Sequence, residues 1–118
     1  MQTRDITISE LIASELCIEE QDGTLVFETV DEVLRGGGHI ALSFADVSML
    51  TTPFIRALLG TRAEDFLSAL SHRNSQLELV EISLAQGARI AFVAEDLALR
   101  ARDPEAYSQA RQRALETA

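Results

Sequence analysis

LSFADVSMLTTPFIRALLG, residues 42–60, decides the fold, because it carries a strand into a helix through a turn rich in hydroxyls. Ile40, Leu42 and Phe44 alternate with Ala41, Ser43 and Ala45, which are small enough to lie under a covering helix. That alternation predicts an interior strand over Ile40 to Phe44. Asp46 and Ser48 break it in an Asx or serine turn. Thr52-Pro53 then reads as a helix start. A threonine hydroxyl at the N-cap accepts from an otherwise unpaired N–H of the first turn, and a proline at the next position forfeits no hydrogen bond. Phe54, Ile55, Leu58 and Leu59 supply the apolar side of the helix, and Arg56, one turn after Thr52, is placed to reach a partner's carboxylate.

Before this stretch, Ile6 and Ile8 alternate with Asp5, Thr7 and Ser9, the pattern of a short first strand. Glu10 to Glu15 is ambiguous between a helical turn and a connection, and a turn followed by a second strand over Leu16 to Ile18 fits best. Asp22-Gly23 punctuates the chain. From Thr24 to Arg35, Val26, Val30, Val33 and Leu34 recur at helical spacing with Glu28, Asp31 and Glu32 opposite, and Gly36 closes the helix. Gly36-Gly37-Gly38 follows a helix and precedes a strand, the reverse of a phosphate-cradling loop, so it reads as a C-cap and connection.

After Gly60, Ala63, Phe66, Leu67 and Leu70 mark a second short helix with Glu64 and Asp65 near its positive end. Leu77, Leu79 and Ile82 are interspersed with Glu78 and Glu81, a strand exposed on one face and suited to a sheet edge. Ile90 to Val93 looks locally like another strand. Ile90, Val93, Ala94, Leu97 and Ala101, however, share one helical face, and Ser83-Leu84-Ala85-Gln86 is a capping-box sequence, which decides for a helix over Ser83 to Arg102.

With 118 residues, 47% of them hydrophobic, one domain can bury roughly 65% of its unfolded surface and needs no staple. The single cysteine, Cys17, has no internal disulfide partner and lies in the apolar run Leu16-Cys17-Ile18, as a buried small hydrophobe does. No secretory leader, lipidation signal or apolar run of about 18 residues is visible, so the expectation is a cytoplasmic protein with no membrane partner. The net charge of −9 is uneven, with ten acids against Arg4 and Arg35 in residues 1–50. Nucleic acid, which needs a basic stripe, is a poor partner. His39 and His72 stand without Cys, Asp or Glu at metal-ligand spacing, and no nucleophile motif occurs. Neither metal, cofactor nor enzymatic activity is expected.

The strand, the hydroxyl turn and the helix start resemble the STAS superfamily, which includes anti-sigma-factor antagonists. Thr51, Thr52 and Pro53 fall where its motif has Asp, a phosphorylatable Ser and a second Ser, and Phe54 falls at its Gly. A STAS-like family of undefined function is more similar. That resemblance runs through Glu20-Gln21-Asp22-Gly23 before a helix, a strand ending in Ser43-Phe44, Thr52-Pro53-Phe54, and a closing Asp103-Pro104-Glu105-Ala106-Tyr107. It implies one α/β domain over residues 1–118, a small mixed sheet backed by helices with extra helices at the C-terminal end, the last of them following Asp103-Pro104 and running through Ala114. It also implies a bacterial regulatory protein that binds a protein partner of the anti-sigma or histidine-kinase-like ATPase type. The surface would be Asp46, Ser48, Thr51, Thr52, Pro53 and Arg56. A phosphate on Thr51 or Thr52 would add roughly −1.5 to −2 charge at the positive end of a helix and act as a switch, although Pro53 offers it no N–H. Two other functions fit the residues: a structural subunit associating through Glu28, Asp31, Glu32 and the arginines near the C-terminus, and a small-molecule module at the helix start.

Overall fold

The computed structural model describes residues 3–102, so the closing Asp103 to Tyr107 segment and the helix expected through Ala114 lie outside the described residues. The order is β1 (Thr3–Thr7), α1 (Ile8–Leu11), β2 (Leu16–Cys17), α2 (Glu20–Arg35), β3 (His39–Ser43), β4 (Met49–Leu50), α3 (Thr52–Leu59), α4 (Ala63–Leu70), β5 (Leu77–Val80) and α5 (Leu84–Arg102). β3 lies between β1 and β5, as its alternation predicted, and β2 pairs with β4 in a separate two-stranded sheet. Every pairing among the described residues is parallel. The expectation of a mixed sheet is therefore corrected. Each link between paired strands contains a helix that returns the chain to its starting end, so neighbours run the same way.

Register explains where the core sits. Ile6, Leu42 and Leu79 stand in one row and Ile40 and Leu77 in the next, all of them buried. The alternate row places half-buried Ala41 between exposed Asp5 and exposed Glu78. The expectation that small residues lie under a helix fails on this face, because a helix there would take two carboxylates out of water. The buried face meets Val26, Val30 and Val33 of α2, Phe54, Ile55, Leu58 and Leu59 of α3, Phe66 of α4 and Ile90 of α5 in one cluster.

Several local expectations shift. β1 ends at Thr7, and Ile8 begins the one-turn α1 instead of continuing the strand; the Ile12 N–H donates to the Ile8 carbonyl at 3.0 Å. Asp22-Gly23 is not a break, and Glu20 to Gly23 does not precede α2 but forms its first turn, with Glu20 and Asp22 at the positive end. Gly23 is there for proximity. A Cβ on it would stand 2.5 Å from the Phe54 carbonyl oxygen and 2.8 Å from the Ala57 Cβ, so α2 and α3 pack backbone to backbone at this point. At the other end of α2, Gly37 adopts φ +77°, and the Gly37 and Gly38 N–H groups donate to the Leu34 and Val33 carbonyls at 3.1 and 2.9 Å. That paired geometry caps the helix, as the glycine run predicted.

The helix chosen over the strand appearance of Ile90 to Val93 is present, with Ile90, Val93 and Ala94 buried. Leu97 is half-buried and Ala101 exposed, where the helix runs past the core. Its capping box closes in both directions: the Gln86 N–H donates to Ser83 Oγ and the Ser83 N–H to Gln86 Oε1, each at 3.0 Å.

Candidate functional site

β3 delivers the chain into a β-turn in which the Val47 N–H donates to the Phe44 carbonyl at 3.2 Å. Asp46 takes the left-handed conformation there, φ +63°, which Asp tolerates better than most residues. The serine that makes the local turn contact is Ser43, whose Oγ accepts from the Ala45 N–H at 3.2 Å. Ser48 instead reaches across, its N–H and Oγ donating to the Glu15 carbonyl at 2.9 and 3.3 Å. Asp46 and Ser48 are both exposed.

The helix cap is Thr51, one residue before the predicted Thr52. Thr51 is extended at φ −92° and ψ 158°, and its Oγ1 accepts from the Phe54 N–H at 3.4 Å; Thr52 is the first helical residue and Pro53 the second. The shift has a cause in β2. The Thr51 N–H donates to the Cys17 carbonyl at 3.0 Å, and its hydroxyl proton has the Ile18 carbonyl at 3.0 Å and that of Cys17 at 3.3 Å to choose between. These bonds to the neighbouring strand hold Thr51 extended, so helical geometry begins after it. They also leave little at this helix start for an anion. The Thr51 and Phe54 N–H groups are used and Pro53 has none, which leaves the Thr52 N–H.

Thr51 and Thr52 are half-buried, whereas Pro53 and Arg56 are exposed. Arg56 enters no side-chain hydrogen bond or ion pair among the described residues. The six nominated residues thus follow the chain from the turn after β3 to the first turns of α3, with the hydroxyl turned to structure at Thr51 and exposed charge at Asp46 and Arg56. Sequence reading missed their apolar neighbours. Leu16 pairs with Met49 across β2 and β4, and the two are 47% and 49% exposed, while their successors Cys17 and Leu50 point inward. Ile18 continues the outward side of β2 at 39% exposure. Period-two alternation over Leu16 to Ile18 carried this signal, but two-residue strands are too short to stand out.

Cys17, beneath this strip, is fully buried. Burial first, and the charge of Asp22 second, push its thiol up to about 11, so it stays protonated and unreactive at neutral pH.

Away from this edge, the structure gathers a second set of polar side chains. A cleft of about 350 Å³ opens at the N-terminal ends of the parallel strands, where His39 and His72 line its wall with Asp5, Asn74 and Glu78. None of the six nominated residues lines it. Asn74 is fully occupied by the turn into β5: its Oδ1 accepts from the Gln76 and Leu77 N–H groups at 2.8 Å each, and its Nδ2 donates to Ser68 Oγ and the Asp65 carbonyl. His72 takes the left-handed position closing α4, a capping role. Among the described residues no group of three or more His, Cys, Asp or Glu is arranged to hold a metal ion, and no helix is long and apolar enough to cross a membrane.

On α2, Asp31 is withdrawn from the acidic face. Arg62 donates to it at 2.7 Å and to Asp65 at 2.9 Å, tying α2 to the start of α4. Desolvation lowers the pKa of this guanidinium, but the hydrogen bonds and charges of the two carboxylates outweigh it and leave the value raised. Comparisons with protein-family models, curated proteins and solved structures return no match to this chain.

Proposed function

We propose that this α/β chain is a non-enzymatic regulatory module of the STAS-like type, which binds a protein partner through the edge running from Asp46 to Arg56. The carrying observation is the outward apolar strip of Leu16, Ile18 and Met49, which the bonds from Thr51 Oγ1 to the Cys17 and Ile18 carbonyls join to the start of α3, the helix that carries exposed Pro53 and Arg56. Large apolar side chains rimmed by charge are what a protein interface uses, and Glu15 and Glu19 supply that rim. The resemblance at Thr51 to Phe54 points to a regulatory ATPase of the anti-sigma or histidine-kinase-like class as the partner. Constitutive binding is favoured over a phosphate switch, since a phosphate on Thr51 forfeits its hydroxyl's bonds to β2 and Thr52 is only partly accessible.

The test is affinity capture from the native cell extract with quantitative mass spectrometry. Arg56→Glu and Met49→Asp should each remove the captured partner while melting as the parent does, because exposed substitutions usually change stability by only about 0.5 kcal/mol. Capture unchanged by both variants would refute the assignment of this edge.

The exposed acids Glu28 and Glu32 favour a second reading, a subunit associating through α2. On that reading Glu28→Lys with Glu32→Lys disrupts association in a salt-dependent way and Arg56→Glu does not. Asp31 is left out of this pair of variants because its loss would also release Arg62.

A further inference from the structure

Helix α5 carries a second apolar face, opposite the one it buries. Ile90, Val93 and Ala94 point into the core, while Phe92, on the other side, is 78% exposed. At 3.6 residues per turn, Ala85, Phe92 and Leu99 fall in one line down the helix, and Leu99 is 47% exposed. Arg89 and Asp96 flank this line on one side; Ala88 and Glu95 flank it on the other.

We infer that α5 pairs antiparallel with α5 of a second copy of this chain, about a twofold axis at Phe92. The sequence is self-complementary about that axis. In an antiparallel twofold pair, residues equidistant from the axis in opposite directions meet, and each flank stays on its own side of both helices. Phe92 then stacks on Phe92 of the second copy, and Leu99 lies over Ala85, large against small. On the charged flank, Arg89 meets Asp96 of the second copy, twice per dimer. Neither Arg89 nor Asp96 has an ion pair or side-chain hydrogen bond within its own chain among the described residues. On the other flank Glu95 meets Ala88. A parallel pair instead sets Asp96 against Glu95 of the other copy, two like charges, and gives Arg89 an alanine. The charge pattern therefore selects an antiparallel copy of this same helix, even though chains of net charge −9 repel at long range.

One helix face falls below the ~1,200 Å² of a stable specific complex, so exchange between monomer and dimer is expected at concentrations on the order of 10–100 µM. Sedimentation velocity of the full chain across that range should show the weight-average mass rising from monomer towards dimer. Phe92→Asp should hold it at monomer with an unchanged melting temperature. Arg89→Asp alone and Asp96→Arg alone should each weaken dimerisation about tenfold or more, and the double variant should restore it to within about threefold of the parent. Restoration is the decisive arm, since a loss of fold or a loose apolar association would not be rescued by swapping charges. A parent that stays monomeric throughout overturns the proposal. If Phe92→Asp then also lowers the melting temperature, the face is covered by residues 103–118 of the same chain; if it does not, the face awaits a different protein. A dimer indifferent to Phe92→Asp, or charge variants that do not rescue each other, overturns it equally.

Discussion

Thr51 and Thr52 carry the same hydroxyl one residue apart, and the fold uses them differently. Thr51 caps α3 and fastens it to β2, so Thr51→Ala should cost about 1–2 kcal/mol and Thr52→Ala less than about 0.5 kcal/mol in denaturant midpoint experiments. Equal losses, or the larger loss at Thr52, would contradict the assignment. The hydroxyl-rich helix start was legible in the sequence. Which hydroxyl caps was not, because the choice rests on the Cys17 and Ile18 carbonyls, supplied by a strand far away in the chain. Cys17 itself was legible from its apolar neighbours. Its thiol has a folded-state pKa raised from 9.0 to about 11, so the folded protein holds the proton more tightly than the unfolded chain. The stability this brings is intact below pH 9 and is lost as pH rises through about 11, a change on the order of 2 kcal/mol. Unfolding free energies measured from pH 8 to pH 11 should fall more steeply for the parent than for Cys17→Ala; parallel curves would show that the thiol does not titrate differently on folding.

The elements that sequence periodicity foresaw best are those whose signal is internal. α5 was read correctly against the strand appearance of Ile90 to Val93 because its capping box and its inner apolar face both belong to the helix. Ile90→Pro should therefore cost about 3 kcal/mol or more, or leave the chain unfolded by circular dichroism. A folded Ile90→Pro variant would count against a continuous helix. α2 was misread at its start because Gly23, a breaker by type, is fixed by what lies across from it in α3. Gly23→Ala raises intrinsic helix propensity by up to about 1 kcal/mol, yet its Cβ would overlap the Phe54 carbonyl, so a net loss of about 1–2 kcal/mol is expected. Thermal melting that shows a gain would mean that the two helices separate more freely than their packing indicates. Parallel pairing was missed for a related reason: strand direction depends on where each crossover returns the chain, which local alternation does not encode.

At the scale of the whole molecule, the acids of residues 1–50 distribute over several surfaces. Asp31 is consumed by Arg62, Asp5 keeps one face of the sheet wet, Glu15 and Glu19 directly flank Leu16 to Ile18 in the chain, and Asp46 stands exposed in the turn before β4. The charge imbalance was plain in the sequence, but its partition was not, since it follows from packing between distant segments. The strip was equally hidden, because Leu16 and Met49 become neighbours only when their short strands pair. Hydrogen–deuterium exchange on the protein alone and with its captured partner puts this surface to the most direct test. Partner binding at this surface should slow exchange over residues 16–18 and 49–56 and leave the exposed side of α2 around Glu28 and Glu32 unchanged. Protection confined to α2, with residues 49–56 exchanging as they do in the free protein, would contradict it.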